Sequence, residues 1–123
     1  MTDAKCKICR RQGEKLFLKG ERCYSQKCAI VRKPYAPGVH GRAKRRRAES
    51  EFGIQLREKQ KVRFLYGVSE GQFQRYVDGA LKSHSGDVIE KLVRNLEMRL
   101  DNAVFRLGFG LSRSIARQLI SHG

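Results

Sequence analysis

The sequence predicts a mainly α chain that opens on a four-cysteine metal knuckle. Three observations carry that reading. Apolar residues beyond residue 50 recur at helical spacing. All four cysteines fall within the first 28 of 123 residues. Between these regions lies a stretch of prolines, glycines and cations with no apolar period. The predicted organisation is a metal knuckle and basic arm over 1–47, a helical domain over 48–95 and a further helical segment over 96–123.

The cysteines are Cys6, Cys9, Cys23 and Cys28, spaced as Cys-x2-Cys, thirteen residues, then Cys-x4-Cys. Two close thiolate pairs joined by a short excursion complete a tetrahedron, and thiolates suit zinc. With four protein ligands no coordination position stays open, so the predicted cofactor is a structural Zn2+. An iron–sulfur cluster takes the same donors and is the second choice. The excursion, Lys15 to Lys19 between Gly13 and Gly20, reads as a short ribbon or turn that needs a clip. Two disulfides are the competing reading. The N-terminus shows no apolar stretch of an export signal, which disfavours them.

Residues 29–47 read as an extended linker. Pro34 and Pro37 push the residues before them away from helix, and Gly38 and Gly41 flank His40. The linker ends in a cationic run: Arg42, Lys44, Arg45, Arg46 and Arg47. Such an arm is expected to track a phosphate backbone and to order on its partner.

Ser50 can cap a helix from about Glu51 to Tyr66 that ends at Gly67, with Phe52, Leu56, Phe64 and Leu65 as its apolar positions. The next helix has a capping-box pattern, Ser69 with Gln72, and one apolar stripe of Phe73, Tyr76, Val77, Ala80 and Leu81. A third pattern starts near Ser85 or Gly86, places Ile89, Leu92, Val93 and Leu96 on one face and runs to Leu107, with a break predicted around Asn95 to Glu97. His84 falls in the turn before it. Ser112 caps the last helix, which should bury Ile115, Ala116, Leu119 and Ile120 and expose Arg113, Arg117 and Gln118. Arginines beside a helix N-terminus suit phosphate.

The formal net charge is +15, from 27 Lys+Arg and 12 Asp+Glu. Residues 1–50 hold 15 Lys/Arg and 4 Asp/Glu, a net of +11; residues 51–123 hold 12 and 8, a net of +4. A half this basic should condense on a polyanion and release its counterions, and nucleic acid is the polyanion it fits. No apolar run reaches the roughly 18 residues of a membrane span, and the basic stretch lacks the Trp/Phe/Leu face of a membrane-surface binder. No Gly-rich phosphate loop is present, His40, His84 and His122 are scattered, and a closed metal site offers no Lewis acid. The reading is therefore a binder rather than an enzyme, with no small-molecule substrate.

Several segments together resemble one family. They are Cys6-Lys7-Ile8-Cys9-Arg10-Arg11 with Gly13 to Cys23, Pro37-Gly38-Val39-His40-Gly41, Gln55 to Lys61 with Tyr66-Gly67-Val68, Arg99-Leu100-Asp101-Asn102, Arg106 to Phe109, Ser112-Arg113 and Ala116 to Gly123. In this order they resemble the small-subunit ribosomal protein S-four family in its zinc-bearing bacterial or organellar form. The resemblance implies a constituent of the small ribosomal subunit, in the cytoplasm or an organelle. It would bind small-subunit rRNA directly and early, nucleate assembly of the 5′ domain, influence translational accuracy and lie beside small-subunit proteins three and five.

Carried over residue by residue, the implied RNA contacts are Arg42, Lys44, Arg45, Arg46 and Arg47 in the arm and Arg57, Lys59, Lys61 and Arg63 on the first long helix. At the end of the chain they are Arg113, Arg117, Gln118 and His122. Removing Arg117 is expected to weaken RNA binding with little change in folding. The four cysteines carry over as metal ligands. Residues 96–123 become the helical opening of the family's RNA-binding module, whose β part is absent, so a truncated member is expected. The rival from another class is a zinc-ribbon DNA-binding regulator, which shares the charge and the cysteines.

Overall fold

The computed structural model describes residues 4–43, 48–83 and 86–123. Two compact units divide the chain, Met1–Leu65 and Tyr66–Gly123. Among the described residues the regular structure is helical, with no strand. Lys44, Arg45, Arg46 and Arg47, and the turn residue His84, lie outside the described residues.

In the first unit the Cys-x2-Cys segment is helical. Helix α1 (Lys5–Gln12) contains neither Gly nor Pro. It ends where Gly13 enters the left-handed region at φ 77°, its N–H donating to the Cys9 carbonyl at 2.9 Å. The excursion that follows returns through a 3-10 turn, Gly20–Cys23, where a ribbon or turn was expected. Helix α2 (Ala29–Arg32) is a single turn at the start of the stretch expected to be extended, and it stops at Lys33, ahead of Pro34. Helix α3 (Glu51–Tyr66) has the predicted bounds. Ile8, Cys9, Leu16, Leu18 and Phe64 form the buried cluster that fastens α3 to the cysteine segment. The other expected core positions of α3, Phe52 and Leu56, are exposed. Its apolar residues do not share one stripe, so one anchor near its end does the packing.

The second unit contains α4 (Glu70–Lys82), α5 (Val88–Glu97), α6 (Leu100–Arg106) and α7 (Arg113–His122). Their starts follow ordinary capping chemistry. Ser69 Oγ accepts from the Gln72 N–H, Asp87 Oδ1 from Ile89 and Ser112 Oγ from Ile115. The expected start near Ser85 or Gly86 is thus two to three residues early, because Asp87 supplies the cap and the helix begins at Val88. The predicted break falls at Met98–Arg99, just beyond its expected place. The Met98 N–H closes α5 on the Arg94 carbonyl at 2.9 Å, and Arg99 is extended.

Helix α4 packs on α5, and α6 on α7. Gly110 makes the entry to α7 tight: a Cβ there would meet the Ala116 amide nitrogen at 3.0 Å. The buried apolar residues are Val68, Phe73, Ala80, Leu96 and Ala116, and they share the interior with Asp101, Asn102 and Ser112. Leu81, Ile89, Val93, Ile115, Leu119 and Ile120, all expected inside, stand exposed. Periodicity identifies a face but does not supply the neighbour that covers it. No helix among the described residues is long and apolar enough to cross a membrane.

Candidate metal centre and nucleic-acid interface

Cys6 and Cys9 are three residues apart on α1, so they project from the same side of the helix. Cys23 ends the 3-10 turn and Cys28 is the N-cap residue of α2. A small serine turn joins them. Ser25 Oγ donates to the Arg22 carbonyl at 3.0 Å and accepts from the Lys27 N–H at 3.2 Å, while the Cys28 N–H donates to the Ser25 carbonyl at 3.1 Å. All four cysteines are free thiols, and Cys9, Cys23 and Cys28 are buried. Together they line one cavity of about 20 Å3, floored by Leu18 and Ile30 and edged by Lys5 and Lys19.

Burial pushes the Cys9 thiol up from its ordinary pKa. The Leu16 backbone hydrogen bond opposes this, and the three neighbouring cysteines add to the rise by charge repulsion. Among the described residues no group of three or more His, Cys, Asp or Glu side chains takes up a metal-holding arrangement. The structure therefore brings four soft donors to one small space without setting them as a tetrahedron. Their chemistry fits a thiophilic ion such as zinc, and Cys6, Cys9, Cys23 and Cys28 would hold it.

The start of the basic arm is tied back to this knuckle. Arg10, next to Cys9, donates from Nε to the carbonyls of Lys33 at 3.2 Å and Tyr35 at 3.0 Å, and from its terminal nitrogen to Ala36 at 3.3 Å. Its guanidinium lies over the Tyr35 ring, 4.9 Å from the centroid, and that of Arg42 lies 4.8 Å from the same centroid. Arg42 also donates to the Tyr35 hydroxyl at 3.0 Å, which pulls that phenol below its usual pKa. Residues 33–36 are thus pinned rather than free, an arrangement that no local pattern announced.

The predicted contact residues on α3 are partly engaged within their own unit. Arg57 pairs with Glu49. Lys61 pairs with Glu14 at 2.5 Å and lies 3.8 Å from Glu58; the Glu14 hydrogen bond raises the pKa of its ammonium. The Arg63 guanidinium covers the Phe64 ring at 4.7 Å. Lys59 is half-buried on the same helix.

In the second unit Arg113 and Arg117 are half-buried struts, not members of an exposed face. Arg113 donates to Asn102 Oδ1 at 2.8 Å and stacks between the rings of Tyr66 and Phe105, 5.0 and 4.6 Å from their centroids. Arg117 forms an ion pair with Asp101 and donates to the carbonyls of Gly67 and Tyr66. Asp101 also takes a two-pronged bond from Arg99, at 3.0 and 2.7 Å. Burial pushes the Asp101 carboxyl up, but the two arginines outweigh it and hold its pKa below the usual carboxylate range.

Glu97 behaves the same way. Burial raises it, and hydrogen bonds from Arg106, Tyr66 and Asn102 bring it down to about 2. The Arg117 guanidinium thus bridges three groups of its own unit, Asp101, Tyr66 and Gly67, which counts against the expectation that it can be removed at little cost to folding. Gln118 and His122 stand exposed. The network residues Glu97, Asp101 and Asn102 were missed by sequence reasoning, although Arg99-x-Asp101 beside the Arg113/Arg117 pair at i, i+4 is the pattern that marks them.

Comparison with known proteins supplies the remaining finding. Residues 1–97 match the family model for the ribosomal protein S4/S9 N-terminal domain, and residues 98–123 match that for the S4 domain. The chain is 59% identical over 122 residues to the small ribosomal subunit protein uS4 of Ruminiclostridium cellulolyticum, covering 99% of this chain and 57% of that one. Identity is 56% to the same protein of Thermosipho melanesiensis and 55% to that of Thermotoga maritima, each covering 99% of this chain and 57% of the relative. The chain thus spans a little over half the length of these relatives.

Proposed function

Because the chain belongs to the uS4 family of small-subunit ribosomal proteins, we propose that it binds small-subunit ribosomal RNA as a ribosome constituent, by binding and not by turnover. The observation that supports this most is charge placement: a net of +11 over residues 1–50, from 15 Lys/Arg less 4 Asp/Glu, sits on and just after the cysteine knuckle. Lys and Arg side chains would neutralise phosphates brought close at an RNA junction, and the knuckle would fix their spacing, so that RNA shape supplies much of the specificity.

In this reading Arg42 and the run Lys44, Arg45, Arg46 and Arg47 follow the backbone. Arg57, Lys59, Lys61 and Arg63 offer the charge of α3, and Gln118 and His122 offer hydrogen bonds from α7. Arg113 and Arg117 act on RNA chiefly by holding α7 in place. Zinc on Cys6, Cys9, Cys23 and Cys28 supplies a structural clip, fixing α1 to α2 and with it the start of the arm. The proposal extends to nucleating the 5′ domain, to an influence on translational accuracy and to a position beside small-subunit proteins three and five, in a cytoplasmic or organellar ribosome.

Competition between a small-subunit rRNA junction fragment and duplex DNA of equal length tests the reading. Preference for the junction and co-sedimentation with the small subunit are the expected results. Preference for the duplex would favour the zinc-ribbon DNA-binding regulator.

A further inference from the structure

The cysteine knuckle carries an aromatic pair that its core does not use. Phe17 and Tyr24 approach with ring centroids 4.9 Å apart and planes inclined by 33°. Phe17 lies between the buried Leu16 and Leu18, yet is itself 42% exposed; Tyr24 follows the buried Cys23 and is 77% exposed. Phe17 also has a positive φ of 51°, a left-handed backbone that bulky side chains rarely adopt. The fold therefore holds two rings at its surface, one of them on strained backbone, with no matching burial in return.

Around them Lys15, Lys19, Arg22 and Lys27 are all exposed, and Glu21 is the one acid in the sequence from 15 to 27. This rim is cationic, which suits a planar apolar face flanked by phosphates.

We propose that Phe17 and Tyr24 are a stacking platform for one unpaired nucleobase, with the surrounding lysines and Arg22 taking its neighbouring phosphates. A base in a duplex has both faces covered by its neighbours, so the platform selects a looped-out or single-stranded nucleotide. Any of the four bases has a face to offer, so the site reads strandedness and not sequence. The inference rests on the RNA-binding reading above and narrows it to a particular kind of nucleotide at a particular place.

The test compares the full chain with two variants on three probes: a single-stranded oligouridylate, a duplex RNA of equal phosphate number, and heparin, a polyanion without bases. Tyr24→Leu keeps apolar bulk and removes the ring. It is expected to weaken oligouridylate binding about 5- to 100-fold, leaving duplex RNA and heparin affinity unchanged. The chain has no Trp, so Tyr24→Trp introduces a sole indole whose fluorescence should be quenched by oligouridylate and not by heparin.

Unchanged oligouridylate affinity in Tyr24→Leu, or an unquenched indole while oligouridylate is bound, would overturn the platform and leave the RNA-binding reading standing. Failure of the unmutated chain to bind either RNA would overturn both.

Discussion

The two units solve the same problem with different chemistry. Each has few buried apolar side chains, and neither can rely on a large core. Among the described residues, three of the seven buried apolar positions of the first unit are cysteines: Cys9, Cys23 and Cys28, beside Ile8, Leu16, Leu18 and Phe64. The second unit buries Val68, Phe73, Ala80, Leu96 and Ala116, and adds Asp101 and Asn102 as charge and hydrogen-bond centres. In the reading proposed above, the first would be clipped by an ion on sulfur. The second is bolted by arginines on acids. Loss of metal should therefore act on one unit, and loss of charge on the other.

The largest effect expected from this contrast is at the cysteines. Metal binding in small thiolate sites is worth on the order of 10 kcal/mol, so Cys9→Ser should unfold the segment from α1 to α2. Hydrogen exchange would report it as lost amide protection there, with α4 to α7 unchanged. Chelation should reproduce the pattern. Equal loss in both units would break the comparison.

Asp101→Asn should come next. It leaves the Arg99 and Arg117 guanidiniums without their shared carboxylate. Breaking one member of a buried ion pair costs about 3–5 kcal/mol, and the partial exposure of Arg117 places this case at about 3. Denaturant unfolding should show the loss in the second unit, with metal affinity intact.

A smaller effect is set by pH. Glu97 is held at about 2, below the ordinary carboxylate value of 4.5. A depressed acid adds stability that is fully present above its unfolded pKa and is lost as pH falls through its folded one. The second unit should therefore weaken between about pH 4.5 and 2, by about 1–2 kcal/mol once solvent screening at this partly exposed group is allowed for. Glu97→Gln should flatten that dependence, as followed by acid titration of helicity. A slope unchanged by the substitution would remove Glu97 from the bolt.

The smallest effect is predicted for Arg10→Ala. It deletes the bonds to the carbonyls of Lys33, Tyr35 and Ala36, at a cost of about 1 kcal/mol. NMR should show residues 33–36 loosening while the cysteine region keeps its shifts. Loss of metal binding in this variant would show that arm and knuckle are one cooperative element.

Helices with a side-chain cap and a regular stripe were legible in the sequence. Ser69 and Ser112 cap where their patterns place them, and α3 has its expected bounds. Helix α1 was hidden because its cysteines and cations carry no apolar period. Helix α2 was hidden because a single turn is too short to show one. Exposure of Ile89 and Leu119 was illegible for another reason, since amphipathicity records which side is apolar and not what lies against it. The cysteine set could be read from spacing. The roles of Arg113 and Arg117 could not, because a cation beside a helix N-terminus looks the same whether it faces phosphate or a buried acid.

The basic first unit is what we propose gives this chain its affinity for folded small-subunit rRNA. The most direct test is the affinity for an rRNA junction fragment measured across a salt series, with equal-length duplex DNA as competitor. Selective binding to the junction is expected, with a log–log salt slope of about −4 to −5, as about six neutralised phosphates would give. Binding that ignores salt, or that prefers the DNA duplex, would contradict it.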